Sequence, residues 1–397
     1  MDSSGKEHQQ LDYWDDISDS EFLNIPSDEE NTESQASLNG KTVVGAPVDV
    51  DRPSVSSSSL VQKQNEETLK QEAPTNEALG GLKRKSLHEN SFNPMRRFGK
   101  KHLSVTLLCD QSWCEMKTVY SIIKPHIKRK HMQRSEVQMG MQIHLARELQ
   151  IKDIVPVSTS SLEDIEAIKL LNMFNMIPLL ETGELVREFP VFGVQEGVFI
   201  MGVIDELMYS QKGELVLNEL KTRKQNSMPH SAQDKTNCFQ VALYKLLFDS
   251  MVHGEVKKDH IFRHLRLYPD QVLGEGVQAH AKSHGLQVST FEEVVDALLM
   301  VVSCSDLPCI DLLQIEYHHQ GSSELIGTRV VPFDEAQVRT DLQSHLAYWT
   351  GKREPKGVDI EEAWKCQSCL YEDICEWRKT RLSMSEQPAA HSSSCTG

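Results

Sequence analysis

The sequence predicts an α/β fold, a mixed central sheet flanked by helices, and three observations carry that expectation. Two β-rich runs, "VFIMGVIDELMY" from Val198 and "LVLNELKTR" from Leu215, flank the turn-like "SQKG", as the strands of an antiparallel hairpin do. Helical spacing of apolar residues precedes the hairpin in "QMGMQIHLARELQ" and "LEDIEAIKLLNMF", and follows it in "NCFQVALYKLLFDSMV". Further helices are expected near "FEEVVDALLMVV" and "VRTDLQSHLAYWTG", so the α-β-β-α order suits helices covering a sheet.

The chain of 397 residues carries a formal charge of -16, and the acidity is unevenly spread. Residues 1 to 79 hold 17 Asp and Glu against 5 Lys and Arg, a net of -12, which leaves -4 for the remainder. With "SVSSSSL" and "DEENTESQ", residues 1–95 read as a disordered acidic arm, because such a composition buries too little apolar surface to offset ordering entropy. Residues 381–397 read as a disordered C-terminal tail, leaving 96–380 as the globular domain. Within the arm, residues 11–26 set Tyr13, Trp14, Ile17, Phe22, Leu23 and Ile25 among acids, the pattern of a helix that folds against a basic groove. Lys83 to Lys85, in "LKRKS", has the form of a short nuclear import signal. The start lacks the basic and apolar regions of a signal peptide, and "VVDALLMVV" from Val294 is too short to span a bilayer. A soluble intracellular protein without membrane contact is expected, and its nine cysteines then suit metal better than disulfides.

Ahead of the helices, "VTLLCDQSWCEMKTVYSII" suggests a strand or loop leading into a helix, and "KPHIKRKHMQR" concentrates Lys124, Lys128, Arg129, Lys130 and Arg134. Most such runs are solvated faces, but against an acidic average this one suits phosphate contact. In the second hairpin strand Glu219 and Lys221 are two positions apart and so share a face with Leu215 and Leu217. Val216 and Leu220 line the other face, so both sides are expected to be buried, where charge is costly unless paired or bound to metal. A turn centred on Lys212 sets Asp205 opposite Glu219, gathering Asp205, Glu219 and Lys221. Two carboxylates are what Mg²⁺ asks of a protein, and the lysine can orient water or neutralise charge developing on a phosphodiester. Alternation sends Glu206 to the other face, toward a salt bridge or the surface. Glu148, one helical turn from His144, is a candidate neighbour of that histidine.

Near the C-terminus "WKCQSCLYEDICEWR" spaces Cys366, Cys369 and Cys375 as C-x2-C-x5-C, a soft-ligand set for a metal. A fourth ligand must come from afar; Cys114 is the better candidate and Cys109 the rival, and spacing leaves zinc and an iron-sulfur cluster both open. Cys238, Cys304 and Cys309 are expected to be core thiols.

Asp205 followed by Glu219-x-Lys221 resembles the active site of the PD-(D/E)XK nucleases. With Gly140-x3-His144 upstream and Gln240-x3-Tyr244 downstream, the order is similar to that of the RecB-like branch. The closer resemblance is to the exonuclease V family, through "IHLARELQI", "REFPVFG", "GVIDEL", "ELKTR", "CFQVALYK" and "YWTGKREPKGVDIEEAWKCQSCLYEDICEWR", over residues 92 to 380. The resemblance implies a PD-(D/E)XK core clipped by a [4Fe-4S] cluster on Cys114, Cys366, Cys369 and Cys375. It further implies Mg²⁺ on Asp205 and Glu219 with His144 joining them, Mn²⁺ able to substitute, and Lys221, Gln240 and Tyr244 completing the catalytic set.

The resemblance also implies a monomeric exonuclease that digests single-stranded DNA from its ends to short oligonucleotides in nuclear DNA repair, with the cytosol a second location. The arm then suits a single-strand binding protein such as replication protein A. A channel for one strand is expected to use Lys124, Lys128, Arg129 and Arg223 on phosphates and Tyr348 or Trp349 against bases. A helicase-linked or CRISPR-associated nuclease would share the site, but the sequence has no phosphate-binding loop and its length leaves no room for an ATPase. The alternative from another class is a non-catalytic iron-sulfur DNA-binding or scaffold protein, whose carboxylates serve structure.

Overall fold

The computed structural model describes residues 93–151 and 156–385. Residues 1–92 of the acidic arm, including the segment 11–26 and the Lys83–Lys85 stretch, and most of the C-terminal tail lie outside the described residues. Pro94–Arg97 forms a short helix, α1, capped by the Asn93 side chain, and Met95 already packs on the core.

Six strands make one mixed sheet: β1 (Leu103–Ser104), β2 (Val186–Gln195), β3 (Val198–Tyr209), β4 (Leu215–Arg223), β5 (Leu312–His319) and β6 (Leu325–Val331). The order is β1-β3-β4-β5-β6, with β2 also paired to β3. The expected hairpin is β3–β4, antiparallel with Tyr209 opposite Leu215, closed by a Ser210 N–H donating to the Glu214 carbonyl at 2.8 Å. Gly213 takes φ +80°, the left-handed conformation a tight turn needs. Strand β4 is buried at every residue because β3 and β5 occupy both edges and helices cover its faces.

The pairing of β4 with β5 is parallel, which demands a long crossover. That crossover is α7 (Ser231–Val252), α8 (Lys258–Leu265), α9 (Glu275–Ser283) and α10 (Phe291–Cys304). Helix α7 runs across β2, β3, β4 and β5 and buries Phe239, Leu243, Leu247 and Met251 at helical spacing. Before the sheet come α2 (Val105–Trp113), α3 (Glu115–Ile123), α4 (Pro125–Met132), α5 (Ser135–Glu148) and α6 (Leu162–Glu181). Helix α2 packs on α7, α5 lies against β4, and α6 packs on α10. After the sheet come α11 (Glu335–Trp349), a 3-10 turn (Ile360–Cys366) and α12 (Glu376–Ser385). No described helix is long and apolar enough to cross a membrane.

The structure departs from the sequence expectations in definable places. The segment from Val105 is two helices meeting at Cys114 rather than a strand or loop leading into one helix. Of the three expected core thiols, Cys238 is half-buried and packs against the core, whereas Cys304 is exposed at the end of α10 and Cys309 is half-buried away from it; Cys109 is buried.

Candidate active site

The β3–β4 register, Glu206 opposite Asn218, carried one residue further sets Asp205 against Glu219. Both carboxylates are buried, Glu219 completely. The Leu220 N–H donates to Asp205 Oδ2 at 2.8 Å, a side-chain substitute for ladder pairing just where the two strands part. His144, on α5 and buried, brings Nδ1 to 3.9 Å from Asp205 Oδ2.

Lys221 follows Glu219 by two along β4, so period-2 alternation brings its ammonium beside that carboxylate. Lys221 Nζ donates to Glu219 Oε1 at 2.9 Å and to Gln240 Oε1 at 2.8 Å. The Gln240 amide donates in turn to Glu219 Oε1 at 2.8 Å and to the Tyr244 hydroxyl at 3.1 Å. Gln240 and Tyr244 stand one turn apart on the face of α7 that meets the sheet, so a single helix supplies both contacts. Gly202 on β3 makes the approach possible: a Cβ there would lie 2.5 Å from Tyr244 Cε1 and 2.8 Å from Val105 Cγ2.

Burial raises the Asp205 and Glu219 carboxyls well above the usual carboxylate range, Glu219 also through the charge of Asp205, against the opposing pull of Lys221. Burial likewise raises the Tyr244 hydroxyl, which stays neutral. Glu219 Oε2 has no hydrogen-bond partner although its residue is completely buried. A buried carboxylate oxygen left this way is costly, and a hard divalent cation with oxygen ligands is the partner that relieves it. The donor set therefore fits Mg²⁺. Among the described residues, His144, Glu188 and Asp205 also bring their ligand atoms within 4.8 Å of one another.

Glu206 faces the other way, as alternation requires: it takes Arg187 Nε at 2.8 Å, Arg147 at 3.3 Å and the Asn218 amide at 3.1 Å. Arg147 also reaches Glu316 on β5 at 3.3 Å, tying α5 to the sheet one turn beyond His144.

Cys114, Cys366, Cys369 and Cys375 converge around two adjoining hollows with empty volumes of about 320 and 310 Å³. Cys114 is at once the C-cap of α2 and the start of α3, Cys366 ends the 3-10 turn, and Cys375 precedes α12. Burial pushes the Cys114 thiol up to about 11 and raises Cys366 and Cys369, so ligation must itself draw off the protons. Lys117 is buried among them, with Nζ 3.7 Å from Asp110, and Tyr120 stacks on Tyr371 at the rim. The four sulfurs fit a thiolate-bound metal centre. Cys109 lies on another face of α2, within the charge field of Lys221 and Glu219, so it belongs to the nuclease side.

A family model described as "Exonuclease V - a 5' deoxyribonuclease" matches residues 91–214, 209–297 and 289–378. A curated protein, "Exonuclease V" from Danio rerio, is 71% identical over 394 residues, covering 99% of each chain. The chain belongs to the exonuclease V family. A solved structure, "Crystal structure of SSO0001", is similar with a TM-score of 0.35 at 12% identity, covering 70% of this chain and 87% of its own. Membership of the exonuclease V family makes the protein a nuclease and sets aside the non-catalytic scaffold reading.

Three expected DNA contacts are corrected by the fold. Trp349 is completely buried and donates Nε1–H to Gln111 at 2.8 Å, and Tyr348 beside it is buried against the same core, so neither ring is open to a base. Arg223 is buried and bound to the Ser227 carbonyl at 2.8 Å and the Gln233 side chain at 3.0 Å. Lys124, Arg129, Lys130 and Arg134 are exposed on and around α4, and Lys128 is half-buried there. Glu188 was not among the expected site residues of this exonuclease V relative. Its signal was the charge inside "REFPVFG", interpretable only once β2 is laid beside β3.

Proposed function

We propose that the protein is a magnesium-dependent exonuclease that degrades single-stranded DNA from its ends to short oligonucleotides, stitched by a [4Fe-4S] cluster and acting as a monomer in nuclear DNA repair. The observation that carries the reading is the buried, partnerless Glu219 Oε2 next to Asp205 and His144, with Lys221 held over the same carboxylate. Asp205, Glu219 and His144 would hold the ion, with Mn²⁺ able to substitute. The ion supplies positive charge to the phosphoryl oxygens and acidifies water.

The chain's own groups do the rest. Glu219 and Gln240 fix the Lys221 ammonium at one point, where it stabilises negative charge gathering on phosphorus as the water oxygen bonds and the ester oxygen leaves. Tyr244 and Gln240 set the orientation of that lysine through the amide between them. The exposed cations around α4 suit the phosphates of an incoming strand. Cys114, Cys366, Cys369 and Cys375 would hold the cluster, joining α2 to the C-terminal segment and removing a long loop's freedom. Residues 11–26 would dock a single-strand binding protein such as replication protein A, and "LKRKS" would direct the chain to the nucleus, with the cytosol a second location. Unchanged binding after deletion of residues 1–30 would remove the docking role.

The test is anaerobic purification followed by Mg²⁺ and single strands, linear with a label at either end or circular. The expected result is a brown protein that shortens linear strands and spares circles. A colourless protein would overturn the cluster, digestion of circles would overturn end dependence, and full activity in excess chelator would overturn the metal.

A further inference from the structure

Tyr371 stands between Cys369 and Cys375 in sequence and lines the hollow of about 310 Å³ that all four cysteines share. Tight turns carry its ring inward: the Glu372 N–H donates to the Cys369 carbonyl at 3.1 Å, and the Cys375 N–H to the Tyr371 carbonyl at 2.9 Å. The side chain is 1% exposed, packs outside the main apolar core, and its hydroxyl is buried without a hydrogen-bond partner. Its ring stacks on Tyr120 with centroids 5.9 Å apart, and the Tyr120 hydroxyl accepts from the Glu376 N–H at 3.1 Å. The chain thus provides for one phenol of the stack and leaves the other alone. A buried hydroxyl without a partner is destabilising, and a tyrosine is protonated near neutral pH, so this oxygen has a proton to donate. The charged groups whose fields reach it are Lys128, Asp110 and Cys369, and Asp110 already faces Lys117, whose Nζ is 3.7 Å away. A second observation points to sulfur. The Tyr371 N–H donates to the Cys369 thiol group, and the Lys117 N–H to that of Cys114, so both sulfurs are set as acceptors, the role of a metal-bound thiolate.

We propose that the Tyr371 hydroxyl donates a hydrogen bond to sulfur of the iron-sulfur centre on its Cys369 side, and so sets how much negative charge that centre can carry. The inference rests on the cluster reading above and deepens it. Four thiolates on a doubly positive [4Fe-4S] core leave two negative charges, and one-electron reduction makes three. A donor to sulfur favours the more negative form, so this hydroxyl raises the reduction potential. It also draws electron density from the sulfur and weakens its bond to iron.

The experiment uses the anaerobically purified full chain with its cluster and no DNA. It reads the iron-sulfur stretching bands by resonance Raman and the midpoint potential by titration with dithionite. Tyr371→Phe keeps the ring and its stack and removes only the hydroxyl. The expected result is bands at higher frequency and a reduced-to-oxidised ratio about tenfold lower at the parent's midpoint, a shift of about 59 mV for one electron. Tyr371→fluorotyrosine supplies a stronger donor in nearly the same shape, and both readouts should move the opposite way. A merely structural role would move the two variants alike. Bands that stay in place in either variant, or shift the same way in both, would overturn the hydrogen bond while a brown parent leaves the cluster reading intact. If Tyr371→Phe holds no iron, the direction of the bands in the fluorotyrosine protein decides alone. A colourless parent would overturn the cluster and this inference together.

Discussion

Gln240 holds Glu219 and Lys221 together with a single amide: its Nε2 donates to Glu219 Oε1 at 2.8 Å while its Oε1 accepts from Lys221 Nζ at 2.8 Å. Neither strand residue can turn away without losing the helix residue that faces both. Gln240→Leu removes both bonds and leaves the ion-pair partners in place. The expected outcome is a fall in single-turnover rate of about 10- to 100-fold, with KM changed little, since misplacing one catalytic group costs roughly that much. Lys221→Ala should cost more, on the order of 10²- to 10³-fold. A Lys221→Ala protein of normal fold and normal rate would refute the assigned chemistry.

Gly202 provides the space into which the Tyr244 ring fits. Gly202→Ala places a methyl 2.5 Å from that ring, inside any tolerable contact. The expected loss is about 1–3 kcal/mol in urea unfolding, the usual cost of overpacking. Combining Gly202→Ala with Tyr244→Leu should recover part of the stability and none of the rate. Additive losses in the double variant would show that the two positions do not meet.

Gly357 has the same relation to the Trp377 ring, whose atoms lie 2.3 Å from where a Cβ would stand, and both line one of the thiol hollows. Gly357→Ala is therefore expected to displace the indole and lower bound iron, read from the visible absorbance. The ligand choice is checked in the same assay. Cys114→Ser should lose colour and Cys109→Ser should keep it.

Acid should weaken the fold through histidines. Burial pushes His102, His131 and His345 down to about 4, and both ring nitrogens of His345 are buried without partners beside Phe239. A base whose folded value lies below its unfolded value near 6.5 contributes stability in full above pH 6.5, and that contribution is lost as pH falls toward 4. His345→Phe should stabilise the protein at pH 5 relative to pH 7.5, by on the order of 2 kcal/mol. Urea midpoints at the two pH values measure it, and an equal effect at both would refute the assignment.

Much of the site was legible because strand periodicity is rigid. Once "SQKG" is a hairpin turn, the facing of Asp205 with Glu219 and the common side of Glu219 and Lys221 follow from counting. Helical spacing likewise brought Gln240 and Tyr244 to one face. What escaped depended on partners distant in sequence. Strand β2 holds Glu188 and Pro190 and reads poorly as a strand until β3 supplies its ladder; as a sheet edge it tolerates the proline. Strand β6 is mostly exposed, so it carries almost no apolar pattern. Trp349 looked like a base-stacking ring because its burial depends on Gln111, 238 residues away.

The parallel pairing of β4 with β5 also orders events on the ribosome. By the time Arg223 is made, the carboxylates and the lysine of the site exist, yet the strand that carries two of them still lacks a neighbour, which arrives only with residues 312–319. A nascent chain thus exposes one unpaired, largely apolar strand edge for close to ninety residues of translation, the window in which chaperone protection matters most. Chains truncated before β5 should aggregate, not cut DNA.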